Sequence, residues 1–178
     1  MMQSNDIIAV VVWYNPNATH AHNLMSYAHV VRHVVVVDNS INDHSPLLQE
    51  MSDNLTYIPL HDNFGIAHAL NIGCNMAVQM GAQWILTMDQ DSQWQKGQLE
   101  HYIHTANNYP SIEQVGVFSP RQVYGKGCVK QTSIYEEKIA VMTSGCLVSS
   151  KGYELSKGFR DEFFIDEVDN EYCMHIHT

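Results

Sequence analysis

The stretch Trp84-Ile85-Leu86-Thr87-Met88-Asp89-Gln90-Asp91 decides the fold of this chain. Its first five residues form a short apolar run bounded by polar residues, which predicts a buried strand. Asp89 and Asp91 follow at the carboxyl end of that strand, where open α/β sheets bind their ligands. Carboxylates are preferred ligands of Mg²⁺ and Mn²⁺, so a metal here would imply a phosphate-bearing substrate. An ordinary acidic turn is the alternative, because Asp and Ser favour turns.

Strands and helices alternate along the rest of the chain. The predicted strands are residues 7–13, 34–37, 55–59, 84–88 and 115–119. The predicted helices are residues 19–31, 47–51, 66–80 and 98–107, with another at the end of the tail 159–175. Such alternation predicts an α/β fold in which a mostly parallel central sheet is flanked by helices. In residues 122–142, Gly125 and Gly127 accompany the β-prone Val129, Ile134 and Val141, which predicts a hairpin or an irregular excursion.

The composition limits the classes of function. The chain has 178 residues, which predicts one domain spanning 1–178, and its formal net charge is −10. This charge argues against a nucleic-acid partner, because phosphates need Lys and Arg. An acidic protein that binds a polyanion needs a cation, a helix N-terminus or backbone amides. No signal peptide, membrane-spanning run or Cys-x-x-Cys pair is found in the sequence, so we expect a cytoplasmic protein with reduced thiols.

Polar side chains follow three of the predicted strands. Asn15 follows the first strand, Asp38 the second, and Asp89 the fourth. No Gly-x-Gly-x-x-Gly or Walker loop accompanies them, so neither common phosphate cradle is present. Each residue alone is more typical of a turn, but together at one edge of a sheet they predict a shared cleft. The carboxylate of Asp38 could accept a hydrogen bond from the ring N–H of uracil or thymine.

A second acidic group lies in the tail, in the stretch Phe163-Phe164-Ile165-Asp166-Glu167-Val168-Asp169. If the segment is helical, Asp166 and Asp169 share one face at a spacing of i, i+3. A carboxylate beside apolar surface suits a general base, whereas acidic residues also favour the first turn of a helix. The sequence leaves both interpretations open. The 11 histidines are interpreted as surface residues, because no pair has the companions of a structural metal site.

Five segments together resemble the inverting glycosyltransferases of family 2, which have the GT-A fold, and among them the bacterial rhamnosyltransferases. Two of these segments are specific, namely Asn63-Phe64-Gly65-Ile66-Ala67-x-Ala69-x-Asn71-x-Gly73 and Phe164-Ile165-Asp166-x-Val168-Asp169-x-Glu171-Tyr172-Cys173. The other three are Val10-Val11-Val12-Trp13-Tyr14-Asn15-Pro16, Val37-Asp38-Asn39-Ser40 and Met88-Asp89-Gln90-Asp91-Ser92. They occur in the order of the family and span nearly the whole chain.

The resemblance implies a role for each matching residue. It implies donor-binding residues on the nucleotide side, which are Tyr14, Asn15, Asp38, Asn63, Gly65, Asp89 and Gln90. Among these, Asp38 recognises the pyrimidine and Asp89 lies near the ribose. Asp91, with Asp89, would hold Mg²⁺ or Mn²⁺ at the diphosphate. Asp169 would be the catalytic base, with Asp166 beside it.

The resemblance also implies the partners. The donor would be dTDP-rhamnose or a UDP-sugar, and the acceptor a glycan or a lipid-linked sugar at the inner face of a bacterial membrane. His175 stands where the family usually has Arg or Lys, and family members generally continue beyond this length. We therefore expect a catalytic domain truncated on its acceptor side, whose missing C-terminal part could contact the membrane.

Two other functions compete with this interpretation. One is a non-catalytic nucleotide-sugar-binding fragment or interaction module with the same fold. The other is a nucleotidyltransferase, but residues 14–17 lack the glycine-rich basic loop that those enzymes use to hold a triphosphate.

Overall fold

A six-stranded sheet organises the computed structural model, which describes residues 2–49, 51, 54–121 and 134–176. The strands are β1 (Ile7–Trp13), β2 (His33–Asp38), β3 (Leu55–Pro59), β4 (Trp84–Asp89), β5 (Val117–Phe118) and β6 (Cys146–Ser149). The α-helices are α1 (Ala18–Leu24), α2 (Ile66–Gln79), α3 (Gln98–Asn107), α4 (Ser150–Ser156) and α5 (Val168–Ile176). Short 3₁₀ turns occupy Ser4–Asp6, Ser45–Leu48 and Ile112–Gln114.

The order of the strands is β3-β2-β1-β4-β6-β5. Strands β1, β2, β3 and β4 pair in parallel, whereas β6 runs antiparallel to both β4 and β5. This arrangement confirms the expected α/β fold with a mostly parallel sheet. Because β1, β2, β3 and β4 are parallel, their carboxyl ends lie at one edge of the sheet, where the predicted residues Asn15, Asp38 and Asp89 are found.

The two faces of the sheet are covered by different helices. All seven residues of β1 are buried, as expected for a strand that is apolar on both faces. One core cluster joins the sheet to α1 and α3, and the other joins it to α2, α4 and α5. The β-branched runs of β1 and β2 therefore supply side chains to two separate layers of core.

The strand register assigns the site residues to opposite faces of this sheet. Asp38 pairs with Trp13, which packs in the layer of α1 and α3. Asp89 pairs with Val12, which packs in the layer of α2 and α5. Residues paired across parallel strands project from the same face. Asp38 and Asp89 thus share an edge of the sheet but not a face.

The first helix is shorter than predicted. The expected helix over residues 19–31 ends at Leu24, and turns continue to Val30. Ser26 donates its hydroxyl to the carbonyl of Asn23 at 2.7 Å, a local bond that competes with helix propagation. Tyr27 is nevertheless 1% exposed. The apolar spacing therefore predicted its burial correctly, but not the turn conformation of its backbone.

Several smaller expectations are also corrected. The helix expected over residues 47–51 is a 3₁₀ turn that begins earlier, at Ser45, and the strand expected over residues 115–119 is limited to Val117–Phe118. Residues 122–133 lie outside the described residues, and 134–142 contain neither strand nor helix. Helix α4 was not expected; the side chain of Ser149 caps it by accepting from the amide of Gly152.

The condition under which Asp166 and Asp169 would share a helix face is not met. Helix α5 begins at Val168, and Glu167 has a φ of 66°, in the left-handed region. Asp166 therefore lies in the segment before the helix, while Asp169 lies in its first turn. Among the described helices, none is long and apolar enough to cross a membrane.

Close packing of α2 on the sheet requires a glycine at position 73. A Cβ atom at Gly73 would collide with the side chain of Val10 and come within 3.1 Å of Val37. We expect Gly73→Ala to lower the free energy of unfolding by about 1–3 kcal/mol, because the helix must move away from β1. Urea unfolding followed by circular dichroism measures this loss.

The matched control is Gln79→Ala, an exposed position in the same helix. It should change the free energy of unfolding by less than about 0.5 kcal/mol. Equal stability of Gly73→Ala and the unmodified chain would contradict this account of the packing.

Candidate active site

The turn that follows β4 is tied to the loop that precedes β6. The amide of Asp89 donates to Ser144 Oγ at 3.1 Å, and the amide of Ser92 donates to the Asp89 carbonyl at 3.1 Å. Ser144 in turn donates its hydroxyl to Ser92 Oγ at 2.8 Å. These bonds fasten the backbone of the Asp89–Ser92 turn to the loop that precedes β6.

The same loop holds Asp169. The amide of Thr143 donates to Asp169 Oδ2 at 3.1 Å, and Thr87 donates its hydroxyl to the Thr143 carbonyl at 2.6 Å. Gly145, with a φ of 80°, donates its amide to the Thr87 carbonyl at 2.7 Å. Consecutive residues of one loop therefore connect the carboxylate of α5 with the end of β4.

Three carboxylates influence one another at this point. The pKa of Asp89 rises from 3.8 to about 6, because the group is buried and because the charges of Asp91 and Asp169 lie near it. The hydrogen bond from Ser144 opposes this rise. Like charges are thus concentrated at the end of β4, where a bound cation would relieve their repulsion.

The donor set suits a cation that is shared with a phosphate ligand. Among the described residues, no group of three or more His, Cys, Asp or Glu side chains is arranged to hold a metal ion. Mg²⁺ characteristically binds through one or two carboxylates and completes its shell with water and substrate phosphates. Asp89 and Asp91 fit this pattern, whereas a cage built entirely from protein does not fit.

A cavity of about 300 Å³ opens beside Asp169. Its walls are residues 140–142 on one side and residues 165–170 on the other, so both Asp166 and Asp169 line it. The volume is at the lower end of the range for small-molecule sites. The structure therefore brings the two predicted catalytic carboxylates to one cavity, although they do not share a helix face.

Tyr14 and Gln90 join the loops after β1 and β4. The amide of Tyr14 donates to Gln90 Oε1 at 2.8 Å, and Gln90 Nε2 donates to the Tyr14 carbonyl at 3.1 Å. The side-chain amide of Gln90 thus pairs with the backbone of Tyr14 as the backbone of a neighbouring strand would. Tyr14 remains 49% exposed, which leaves its ring available to a ligand.

Asp38 lies in a buried polar network. Its Oδ1 accepts from Ser40 Oγ at 2.5 Å, and its Oδ2 accepts from His44 Nδ1 at 2.7 Å and from the hydroxyl of Tyr57 at 2.6 Å. Tyr57 also accepts the amide of His44 at 2.8 Å. Burial and the bond to Asp38 raise the pKa of Tyr57 well above its usual value, so this hydroxyl remains a donor.

Asn39 and Ser40 connect the loops that follow β1, β2 and β3. Asn39 donates its amide to the Trp13 carbonyl at 2.8 Å and its side chain to Asn63 Oδ1 at 2.9 Å. Asn39 Oδ1 accepts the amide of Phe64 at 2.9 Å, and Ser40 Oγ accepts the amide of Asn15 at 2.8 Å. The predicted donor-binding residues of these loops are therefore held as one rigid edge.

Gly65 supports the segment that carries Asp166. Gly65 has a φ of 87°, and a Cβ atom there would lie 2.7 Å from the Phe164 carbonyl. The amide of Ile66 donates to that same carbonyl at 2.7 Å. Glycine is required here for close approach of the two segments, and this contact links the start of α2 to the wall of the cavity.

Several residues with structural roles at the site were missed in the sequence. They are Ser40, His44, Tyr57, Asn71, Thr143 and Ser144. Asn71 accepts the amide of Phe159 at 2.9 Å and donates to its carbonyl at 2.7 Å, which fixes the approach to α5. Ser40 and Asn71 lie inside the motifs quoted above, which was a usable signal. His44 and Tyr57 carry no local signal, because only the tertiary fold brings them to Asp38.

The cysteines and histidines do not add a second site among the described residues. Cys74, Cys146 and Cys173 are buried free thiols. The prediction of surface histidines is confirmed for six exposed residues, namely His22, His29, His61, His101, His104 and His175. It is not met by the half-buried His20, His33, His44 and His68. Cys128 and His177 lie outside the described residues.

Comparisons with known proteins identify the family of this chain. The profile described as Glycosyl transferase family 2 matches residues 18–140. The dTDP-rhamnosyl transferase RfbF of Shigella flexneri is 31% identical over 194 aligned residues, which cover 97% of this chain. The chain spans 63% of the length of that relative.

Solved structures share the fold. The crystal structure of S. aureus TarS has a TM-score of 0.74 and 18% identity, and the match covers 98% of this chain and 33% of TarS. The mannosyltransferase PcManGT from Pyrobaculum calidifontis, solved with GDP-Man and Mn²⁺, has a TM-score of 0.68 and 18% identity over 96% of this chain and 51% of its own. These neighbours confirm the GT-A fold.

A 4-diphosphocytidyl-2C-methyl-D-erythritol synthase also matches, with a TM-score of 0.55 and 14% identity over 85% of this chain and 78% of its own. At such identity the likeness concerns the fold alone. The nucleotidyltransferase alternative therefore gains no support beyond a shared architecture.

The raised pKa of Asp89 predicts a pH-dependent effect of Asp89→Asn. The folded pKa of about 6 lies above the ordinary value of 3.8, so ionised Asp89 destabilises the fold at neutral pH, and this cost disappears as the pH falls between these two values. At about pH 7.5 we expect Asp89→Asn to be more stable than the unmodified chain by about 1–2 kcal/mol. At about pH 4 most of this difference should be lost.

Urea unfolding without divalent cations, repeated at several pH values, measures this difference. The control is Gln79→Ala on the exposed surface of α2, which removes no titrating group. A stability difference for Asp89→Asn that stays constant with pH would contradict the raised pKa of Asp89.

Proposed function

This chain belongs to glycosyl transferase family 2, and from that membership we propose that it transfers a sugar from a nucleotide-diphosphate donor to a glycan or lipid-linked acceptor with inversion. Rhamnose is the proposed sugar, because the relative RfbF is named a dTDP-rhamnosyl transferase. The observation that carries the proposal is the loop 143–144, which binds the amide of Asp89 and the carboxylate of Asp169 through consecutive residues beside a cavity. Residues 1–178 are proposed to belong to one catalytic domain that acts in the cytoplasm, at the inner face of a bacterial membrane.

The nucleotide of the donor is proposed to lie along the edge formed by the loops after β1, β2 and β3. The hydrogen bonds of Asn39 and Ser40 support this position, because they hold Asn15 and Asn63 in fixed places. The exposed ring of Tyr14 offers a flat apolar surface beside them. Asp38, Gly65 and Gln90 complete the donor side in this proposal, as the matching motifs imply, with dTDP or UDP as the nucleotide.

Mg²⁺ or Mn²⁺ is the proposed cofactor at Asp91 and Asp89. A divalent cation neutralises the charge that develops on the diphosphate when the bond to the sugar breaks. The net charge of −10 favours such a counter-ion, because the chain has only 9 Lys and Arg residues to meet a polyanion. The fold neighbour PcManGT was solved with GDP-Man and Mn²⁺, which agrees with this choice.

Asp169 is the proposed general base. The acceptor hydroxyl must lose its proton as it attacks the anomeric carbon, and a positioned carboxylate assists this step. The amide of Thr143 orients the carboxylate of Asp169, and the adjoining cavity has room for part of an acceptor. A single attack on the face opposite the departing diphosphate inverts the anomeric centre. Asp166, on the wall of the same cavity, is proposed to assist as the second catalytic carboxylate.

Metal-dependent nucleotide binding tests the donor side. In calorimetry with dTDP or UDP, we expect Mn²⁺ to strengthen binding, and Asp91→Asn to remove most of that gain because one of two proposed metal ligands is lost. Glu100→Gln removes an equal charge from the surface of α3 and should retain the gain. Equal binding of both nucleotides with and without Mn²⁺ would exclude the metal role.

Transfer of radiolabelled sugar tests the catalytic side in the full-length protein. We expect Asp169→Asn to lower kcat by about 10²–10⁴-fold without weakening donor binding, because a general base acts only in the chemical step. Asp166→Asn should have a smaller effect, since it lies outside helix α5. A full-length protein that binds the donor but transfers no sugar would favour the non-catalytic alternative. Transfer unaffected by Asp169→Asn would show that Asp169 is not the base.

A further inference from the structure

The peptide bond between Met142 and Thr143 is held at both of its polar groups. The amide of Thr143 donates to Asp169 Oδ2 at 3.1 Å, and the carbonyl of Met142 accepts the thiol of Cys146 at 2.9 Å. Both groups belong to one planar unit, so a bond to the carbonyl limits rotation of the plane and thereby sets the direction of the amide. Two hydrogen bonds and one peptide plane therefore connect the thiol of Cys146 with the carboxylate of Asp169.

Cys146 occupies a rigid part of the fold. It is the first residue of β6, it pairs with Thr87 of β4, and its exposure is 0%. Its backbone amide donates to the Thr143 carbonyl at 3.1 Å, which closes the turn 143–146. The thiol thus anchors the loop to the sheet. Because the turn is closed by backbone atoms, the bond of the thiol can be removed without removing the bond that closes the turn.

The thiol of Cys146 remains protonated and therefore remains a donor. Burial raises the pKa of Cys146 to about 12, and the nearby charges of Asp169 and Asp89 add to this rise. A hydrogen bond with Ser119 opposes it. A neutral thiol is a weak donor to a carbonyl, whereas nucleophilic attack and metal binding require the thiolate. The chemistry of the group therefore favours a structural bond over a reaction of its own.

Two other side chains bind the same loop, but at the neighbouring peptide units. Thr87 donates its hydroxyl to the Thr143 carbonyl at 2.6 Å, and the thiol of Cys173 lies 3.8 Å from the Val141 carbonyl. These carbonyls belong to the peptide units on either side of the one that binds Asp169. Thr87 and Cys173 therefore hold the loop in place, whereas Cys146 acts on the peptide unit that binds the carboxylate.

We propose that Cys146 is a positioning residue for the general base: its thiol orients the Met142–Thr143 peptide bond, whose amide holds Asp169 in place for proton transfer. The inference rests on the proposed function, because it takes Asp169 as the base. A catalytic group must be held within about 0.5 Å of its productive position by bonds of this kind. The bond to the carbonyl also polarises the amide of the same peptide unit, which strengthens its bond to the carboxylate.

Transfer of radiolabelled sugar by the full-length protein tests the catalytic role. We expect Cys146→Ala to lower kcat by about threefold to thirtyfold, while Mn²⁺-dependent binding of the donor changes by less than about twofold. Cys146→Ser should restore most of kcat, because a hydroxyl also donates to the Met142 carbonyl. The control is Cys74→Ala, which removes another fully buried thiol from the core and should leave kcat within about twofold.

A double mutant separates positioning from a general loss of stability. In the Asp169→Asn background, Cys146→Ala should change kcat by less than about twofold, because no base is left to position. An equal loss of kcat in both backgrounds would overturn the inference. Failure of Cys146→Ser to restore kcat would overturn it as well, since the bond of the side chain would then not be the cause.

Hydrogen exchange of the Thr143 amide, followed by NMR in the same protein, tests the orienting bond without reference to activity. We expect exchange to be about fivefold faster or more in Cys146→Ala, and unchanged in Cys146→Ser and Cys74→Ala. Unchanged exchange in Cys146→Ala would overturn the inference.

The outcomes also separate this inference from the proposed function. If the full-length protein transfers sugar and Cys146→Ala is as active as the unmodified protein, the inference alone is overturned. If Asp169→Asn retains full activity, the proposed base is wrong, and the inference is overturned with it.

Discussion

The contact between the loop 142–145 and the end of β4 is the constraint on which the rest of the site depends. Ser144 accepts the amide of Asp89, and the neighbouring Thr143 donates its amide to Asp169. Asp89 belongs to a strand in the middle of the sheet, whereas Asp169 belongs to a helix about eighty residues later in the chain. Because adjacent loop residues bind both, the position of the proposed base is determined relative to the proposed metal ligands. Any change in this loop would alter both at once.

The nearby carboxylates of Asp89, Asp91 and Asp169 lower the stability of the fold. Burying Asp89 near Asp91 and Asp169 raises its pKa and destabilises the unliganded fold at neutral pH. Carboxylates concentrated in this way are typical of sites that operate with a cation, because the ion converts their repulsion into attraction. Asp38 shows the opposite case: three donors compensate its buried charge, and it serves to organise the loops around it. Two acidic residues that look alike in the sequence thus have different physical roles.

Apolar runs and helical spacing predicted the secondary structure correctly where the residues are buried in a regular strand or helix. The apolar runs of β1, β2 and β4 and the helical spacing of α2 and α3 predicted those elements within one residue at each end. Predictions failed where a side chain bound nearby backbone. Ser26 ends the first helical segment in this way, and Ser149 begins α4. Asp166 and Asp169 would share a helix face only if their whole segment were helical, and the helix begins after the left-handed Glu167. The Ser26 hydroxyl competes for a carbonyl that a continuing helix would pair, and the Ser149 hydroxyl satisfies a first-turn amide that α4 leaves unpaired.

By itself, the sequence determined the alternation of buried strands and helices, the edge at which the polar residues gather, and membership of a family of glycosyl transferases. These features follow from periodicity and from short motifs, which are local properties of a chain. Only the tertiary structure decided which faces Asp38 and Asp89 occupy, that His44 and Tyr57 close the carboxylate of Asp38, and that Thr143 and Ser144 join Asp169 to β4. The physical reason is that strand register and long-range hydrogen bonds depend on how distant segments pack. A single stretch of sequence does not show which distant segments it will contact.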